Sequence, residues 1–434
     1  MSFEALGLCA PLLAAISRAG YTKATEVQQQ AIPAGLKGHD LMVSAQTGSG
    51  KTAAFMLPAL NRLSQKAGAG GRGVQVLVLT PTRELAMQVS DATMTLGSQI
   101  KGLRVATVVG GMPYGAQLKA LSKRVDVLVA TPGRLIDHLN SKRVDLSTVQ
   151  TLILDEADRM LDMGFIDDIK DIVSRTPATR QTLLFSATLD GNVARLAQGM
   201  LREPLRIEIS APKERHAQID QAVFYADNMD HKLRLLDHML RDTSVDQAIV
   251  FTATKRGADD LADSLNENGF YAQALHGDMN QRQRTRALTA MQRGRVKVLV
   301  ATDVAARGID VQTISHAINF DLPMQAEDYV HRIGRTGRAG RQGTAITLVE
   351  HRERFKIRRI EQFIGHSIAP QEIAGLEPRQ KPAKKSAAAP GKSRRPTAPG
   401  RVNKARPAKP YTGGHGKPSA KPRQHSSDRR SARA

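Results

Sequence analysis

The chain has 434 residues, 41% of them apolar, with 63 Lys+Arg against 41 Asp+Glu and a formal net charge of +22. That composition supports ordinary buried cores and excludes a wholly disordered chain, and the length predicts about two to three domains. No apolar run reaches the roughly 18 to 20 residues of a membrane span, the opening MSFEALGLCA lacks a basic signal region, and the lone Cys9 excludes an intramolecular disulfide or a Cys-based zinc site, so a cytoplasmic protein without a membrane role is expected.

Along the chain, short runs rich in Val, Ile and Leu recur: DLMVSA from Asp40, VQVLVLT from Val74, VDVLVAT from Val125, VQTLILD from Val149 and QTLLFSA from Gln181. A second series follows with QAIVFTA from Gln247, YAQALHG from Tyr271, VKVLVAT from Val296, HAINFDL from His316 and GTAITLV from Gly343. Near-continuous apolar runs predict strands covered on both faces. Helical spacing between them, as in Pro81 to Leu96 and Gly257 to Asn268, predicts an α/β fold of parallel sheets. The rhythm pauses at EISAPKERHAQI, which predicts a linker over 209–218 between a first domain at 1–208 and a second at 219–375.

The charge is uneven. Residues 381–434 hold 16 Lys+Arg and one acid, Asp428, a net +15 of the +22, with eight prolines and a single Val402 among Leu, Ile, Val and Phe. Such a segment cannot bury enough apolar surface to offset the entropy of ordering, so 376–434 is predicted to be a disordered basic tail. It reads as a nucleic-acid arm or as a solubilising extension.

Clusters of Gly, Pro, Thr and charged residues follow nearly every predicted strand, where open α/β sheets bind ligands. After the first comes Ala45, Gln46, Thr47, Gly48, Ser49, Gly50, Lys51, Thr52. Glycines there let backbone N–H groups approach phosphate oxygens at a helix N-terminus, Lys51 reaches the β/γ-phosphates and Thr52 can ligate Mg²⁺; the full pattern asks for glycine where Ala45 stands. The run TLIL then delivers Asp155, Glu156, Ala157 and Asp158. Asp155 is suited to hold Mg²⁺ and Glu156 to orient or deprotonate an attacking water, which together predict an ATPase.

The run DEAD at 155–158 with the loop AQTGSGKT resembles the DEAD-box ATP-dependent RNA helicases, over about 350 residues from Phe3 onward. The resemblance implies two tandem RecA-like domains, with ATP and Mg²⁺ as cofactors and RNA as partner. GYTKATEVQ, with Tyr21 and Gln28, resembles the adenine-reading motif, with Phe3 as the upstream aromatic that stacks on the base; the family usually has proline where Ala24 sits. Pro81, Thr82 and Arg83, the pair Gly110 and Gly111, and Thr131, Pro132, Gly133 and Arg134 resemble its RNA-contacting motifs. Asp158, Ser186, Ala187, Thr188 and His331 correspond to groups coupling hydrolysis to strand separation. In the second domain, by the same resemblance, Arg335 and Arg338 act as arginine fingers, Asp310 contacts the ribose, and Thr302, Arg307 and Gly308 lie toward RNA. Within the family, DEADRMLDMGF and LHGDMNQRQRTRAL look most like the bacterial RhlE-type subgroup.

The expected activity is therefore RNA-dependent ATP hydrolysis coupled to local, sequence-independent unwinding or ribonucleoprotein remodelling, in ribosome assembly or RNA decay and with proteins of those processes as partners. An ATP-gated RNA clamp or scaffold is the competing reading, and DNA translocation a further one. The few aromatics, 16 in all with no Trp, favour backbone contacts over base stacking.

Overall fold

The computed structural model describes residues 1–45, 48–65, 73–189, 191–209, 219–306, 309, 311, 313–337 and 341–379. From residue 380 on, the predicted basic tail lies outside these residues, as does most of the predicted linker; the tail's first four residues, 376–379, are instead tied to the second domain, with Leu376 packed on its core and Arg379 N donating to Asp227 Oδ2.

The first sheet contains β1 (Leu41–Ser44), β2 (Val76–Leu79), β3 (Val105–Val108), β4 (Val127–Ala130), β5 (Thr151–Leu154), β6 (Gln181–Ser186) and β7 (Leu205–Glu208). The second contains β8 (Ile219–Ala226), β9 (Ala248–Phe251), β10 (Ala272–Leu275), β11 (Val298–Ala301), β12 (His316–Asn319), β13 (Gly343–Glu350) and β14 (Ala369–Gln371). Their orders are β3-β4-β2-β5-β6-β1-β7 and β10-β11-β9-β12-β13-β8-β14, so the second sheet repeats the first with every strand number raised by seven. All pairings are parallel. Two tandem RecA-like lobes result, as the α/β reading expected.

Alternation along each strand sends side chains to both faces, and both are covered. In the first lobe Leu41, Val43, Val76 and Val78 pack with Phe55 and Ile32 on one side, while Met42, Leu77, Leu79 and Leu152 pack with Leu135 and Ile169 on the other. Burying each such side chain stabilises by about 1.5–3 kcal/mol, and Leu77→Ala would cost about 2–5 kcal/mol through lost burial and the cavity left.

Four strands lie outside the apolar runs named from the sequence: β3, β7, β8 and β14. β3 alternates half-buried with buried residues, β7 exposes three of its four positions and β14 exposes all three. β3, β7 and β14 lie at sheet edges and β8 lies one strand in, where covering on both faces is incomplete and the sequence has no reason to be apolar throughout.

Candidate active site

Sheet order sorts the motifs. The phosphate loop, the acidic run and Ser186 follow β1, β5 and β6, which are contiguous in the order β5-β6-β1; the runs at Pro81, Gly110 and Thr131 follow β2, β3 and β4, contiguous as β3-β4-β2. One half of the carboxyl edge therefore gathers the nucleotide candidates and the other half the RNA candidates, meeting between β2 and β5.

In the phosphate loop, Gly48 and Gly50 have φ of +80° and +93°, a region that side chains strain to adopt. The loop opens into the helix Lys51–Gln65. Ser49 and Lys51 are buried, and neither Ser49 Oγ nor Lys51 Nζ has a hydrogen-bond partner among the described residues. A buried ammonium with no acceptor is costly, and phosphate oxygens are of the kind that could supply the acceptors it lacks. Gln28 fixes this loop from the side: its Nε2 donates to the Gly50 carbonyl at 3.1 Å, and its Oε1 accepts from Thr25 N at 2.9 Å. Gln46 and Thr47 lie outside the described residues.

Phe3 departs from its expected role. It is 3% exposed within the first core, edge-on to Tyr21, so it has no free face for a base. Tyr21, 44% exposed, is the available ring.

Asp155 and Glu156 are both buried. Burial raises the Asp155 carboxyl to about 7 against the pull of Lys51, with Glu156 pushing it further up. A carboxylate buried so deeply calls for a cation, and Asp155 with the Thr52 hydroxyl provides the hard oxygen ligands Mg²⁺ takes. Glu156 has φ +52° and caps the helix Ala157–Asp162, a strained position of the kind found at functional sites. Asp158 turns toward β6: its Oδ2 accepts from Ala187 N at 3.1 Å and Thr188 N at 3.2 Å, while its N–H donates to Ser186 Oγ. Ser44 Oγ on the phosphate-loop strand donates to the Ala187 carbonyl at 3.0 Å. Asp158, Ser186 and Thr188 thus form one network with the strand that leads into the phosphate loop.

On the other half, Thr82 caps the helix Arg83–Leu96 by accepting from Leu85 N, and Pro132 opens the helix Pro132–Asn140 after Thr131. Gly111 has φ +71°, and a Cβ there would stand 2.0 Å from Arg83 Nη1. Desolvation lowers the Arg83 pKa, with Arg284 and Arg134 adding to the fall and Glu84 opposing it. Arg134 donates to Asp137 and lies over the Tyr114 ring, and Gly133 sits in the first turn of its helix. Thr302 is buried at the end of β11, its N–H donating to the Leu275 carbonyl.

The second lobe brings Arg335 to the end of the helix Ala326–Ile333, which contains His331. Its guanidinium donates to the His331 and Ile309 carbonyls at 3.2 and 2.8 Å. Arg307, Gly308, Asp310 and Arg338 lie outside the described residues. Among the described residues, side-chain contacts between the lobes include Arg159 to Asp328, Arg284 Nε to Glu84 Oε1 at 2.9 Å, and Arg83 Nη1 to Gln281 Oε1 at 3.1 Å. Arg159, Asp328 and Glu84 escape a reading of the sequence. Arg159 directly follows the acidic run, but its partner lies 169 residues away and no local pattern names it.

Residues 25–196 match the family described as DEAD/DEAH box helicase, and residues 231–340 match the helicase conserved C-terminal domain. The DEAD-box ATP-dependent RNA helicase CshA of Bacillus subtilis is 44% identical over 363 residues, 83% of this chain and 72% of that protein. The ATP-dependent RNA helicase SrmB of Haemophilus influenzae is 41% identical over 383 residues, 88% of this chain and 87% of that protein. Among solved structures, S. cerevisiae Dbp5 bound to RNA and ADP BeF3 aligns with a TM-score of 0.75 at 31% identity, covering 85% of this chain and 95% of that one. With its paired RecA-like lobes and the network around Asp155 to Asp158, the chain belongs to the DEAD-box ATP-dependent RNA helicases.

Proposed function

We propose that the protein is an RNA-dependent ATPase that couples each hydrolysis to local, sequence-independent opening of short RNA duplexes or to remodelling of RNA–protein assemblies. The carrying observation is the division of the site. Lys51, Asp155 and Glu156 belong to the first lobe and Arg335 to the second, joined by the Arg159–Asp328 and Arg284–Glu84 pairs. Hydrolysis then requires closure of the lobes, and an RNA strand spanning both favours the closed state.

Within that closed state Lys51 and the backbone N–H groups of the loop hold the phosphates, and Glu156 orients and accepts a proton from the attacking water. Arg335 and Arg338 neutralise charge gathering on the γ-phosphoryl oxygens. Thr52 and Asp155 would hold Mg²⁺, which would add charge neutralisation at the phosphates. Tyr21 and Gln28 face the base and Asp310 the ribose. Asp158 with Ser186 and Thr188 passes the state of the phosphate site to the RNA half of the sheet edge. Thr82, Arg83, Gly111, Thr131, Arg134, Thr302, Arg307 and Gly308 hold the strand by its backbone, which positions RNA without reading bases.

The boundaries at 208 and 219 separate the lobes, and the basic segment from 376 adds RNA affinity. A cytoplasmic setting, with ribosome-assembly or RNA-decay proteins as partners, fits this activity; the finer RhlE-type likeness rests on the two residue runs alone. The test compares the ATPase rate with and without RNA and DNA, and unwinding of a short RNA duplex with and without ATP. RNA-specific stimulation and ATP-dependent strand release support the proposal. Stimulation without strand release assigns the protein to the ATP-gated clamps, and an ATPase rate indifferent to RNA overturns the coupling.

A further inference from the structure

The amino ends of β5 and β6 lie at the edge of the first sheet opposite the phosphate loop and the acidic run. A cavity of about 370 Å³ opens there; Arg62, Ser147, Thr148, Gln150, Thr179 and Arg180 line it, and among the described residues no acid does. Arg62 reaches it from the helix Lys51–Gln65, eleven residues and so about 16 Å from Lys51 along the axis. Arg180 reaches it from the turn just before β6.

Both guanidinium groups bond only neutral acceptors among the described residues. Arg62 donates from Nη1 to the Gln150 carbonyl at 3.3 Å and Thr151 Oγ1 at 3.1 Å, and from Nη2 to Gln181 Oε1 at 2.9 Å. Arg180, 8% exposed, donates to the Pro177 and Met200 carbonyls at 3.1 and 3.3 Å, and its buried Nε has no hydrogen-bond partner among the described residues. Burial lowers the pKa of both; at Arg180 the field of Asp40 opposes that fall and Arg202 adds to it. Asp40 is itself engaged, accepting from Thr182 N and Arg202 N at 2.8 Å.

Pinning the starts of two strands accounts for the three bonds of Arg62. It does not account for a second buried cation beside the same cavity, nor for the unpartnered Nε of Arg180. Three of the chain's other buried arginines each face a carboxylate: Arg159 faces Asp328, Arg284 faces Glu84 and Arg332 faces Asp303. A buried charge with neutral acceptors alone is costly, and an anion in the cavity offsets that cost for both arginines at once.

We propose that this cavity is a phosphate site, in which Arg180 and Arg62 supply the counter-charge to a phosphate group, free or carried by a small soluble ester. A guanidinium grips phosphate oxygens through parallel N–H donors, and the cavity, at the small end of small-molecule sites, leaves room beside one phosphate for a compact organic body. Because it opens at the other edge of the sheet from Lys51 and Asp155, it can fill while a nucleotide occupies the phosphate loop. The site goes beyond the proposed RNA-dependent activity and does not rest on it.

The test titrates inorganic phosphate, ribose 5-phosphate and citrate in separate calorimetric runs into the full chain at constant ionic strength, with Mg²⁺ and a non-hydrolysable ATP analogue already saturating. Filling the nucleotide site first removes phosphate binding at Lys51. Arg180→Met deletes the buried charge, and Thr179→Glu sets a negative charge at the exposed rim while leaving every Arg62 and Arg180 bond in place. Arg175→Gln/Arg195→Gln, two exposed arginines of the same lobe, is the control. Wild type and control should bind phosphate at one site with a Kd of about 1 mM or tighter, and both cavity variants should bind it at least about tenfold more weakly. If Arg180→Met fails to fold, Thr179→Glu still decides. Ribose 5-phosphate bound as tightly as phosphate supports the site with an ester as its ligand, and binding of phosphate alone supports it with the free ion. Absence of saturable phosphate binding in wild type, an unchanged affinity in Thr179→Glu, or an equal loss in the control overturns the site. Citrate bound more tightly than phosphate gives the cavity to carboxylates and overturns it as well.

Discussion

Arg159 of the first lobe and Asp328 of the second form an ion pair whose side chains are 4% and 11% exposed. Arg159 immediately follows the acidic run, so the contact between the lobes and the carboxylates proposed to act on ATP share one short stretch of backbone. Removing one member of a buried pair strands the other charge, at about 3–5 kcal/mol, whereas removing both leaves nothing unpaired. Arg159→Met and Asp328→Leu should each lower RNA-stimulated ATPase at least tenfold, and the double variant should recover part of that loss. ATP affinity is measured alongside, because Arg159 also lies in the field of Asp158 and Glu156. Additive losses in the double variant would show that the two residues act separately.

Glu156 is held by local geometry rather than by a long-range partner: its N–H donates to Asp155 Oδ1 at 3.0 Å and its carbonyl accepts from Met160 N. Glu156→Gln keeps the shape and both backbone contacts while removing the proton acceptor. Turnover should fall by at least the factor of about 10² typical of general-base loss, with ATP and RNA binding retained. Hydrolysis at the wild-type rate in this variant removes Glu156 from the role of base.

Gly50 has two independent reasons to be glycine. Its φ of +93° disfavours any side chain, and a Cβ would stand 2.5 Å from Gln28 Nε2, the group that holds the loop. Gly50→Ala should therefore weaken ATP binding more than tenfold while changing thermal stability little, because the loop rather than the core absorbs the strain. Gly48→Ala faces the dihedral cost alone, with open space around its Cβ, and should be the milder change. Equal effects of the two would show that the Gln28 contact contributes nothing.

The parts of this site legible in the sequence are those whose chemistry is local. Gly48 to Thr52 and Asp155 to Asp158 announce themselves because phosphate and metal binding need particular residues within a few positions of a strand end. The doubly covered strands are legible for the same reason, since burial on both faces demands an unbroken apolar run. Edge strands such as β7 have no such demand and stay hidden. Phe3 fails differently: a lone aromatic reads equally well as a base platform or as core, and only packing against the first lobe decides for core. Gln28 reads as an adenine contact, and the structure adds that its amide also braces Gly50. The closure pairs are illegible in principle, because Asp328 and Glu84 become partners of Arg159 and Arg284 only when two separately folded lobes meet.

His138 tests the electrostatics of the RNA half without touching a proposed contact. Its ring is fully buried, stacked on Tyr114 with centroids 4.6 Å apart, and neither nitrogen has a hydrogen-bond partner among the described residues. Burial lowers its pKa, Arg134 adds to the fall and Asp137 opposes it. The folded chain therefore keeps the ring neutral where the unfolded chain, at about 6.5, binds a proton. Unfolding then takes up a proton below that value, so this contribution to stability is present above about pH 6.5 and is lost as pH falls. His138→Phe preserves the stack, sacrifices no hydrogen bond and removes the titration. Its melting temperature should match or exceed wild type at pH 7.5 and should fall less between pH 7 and 5.5. His316 and His351, whose pKa values are also lowered by burial, remain in both proteins, so the difference between the two pH profiles isolates His138. Parallel profiles would mean that His138 is as readily protonated in the folded chain as in the unfolded one.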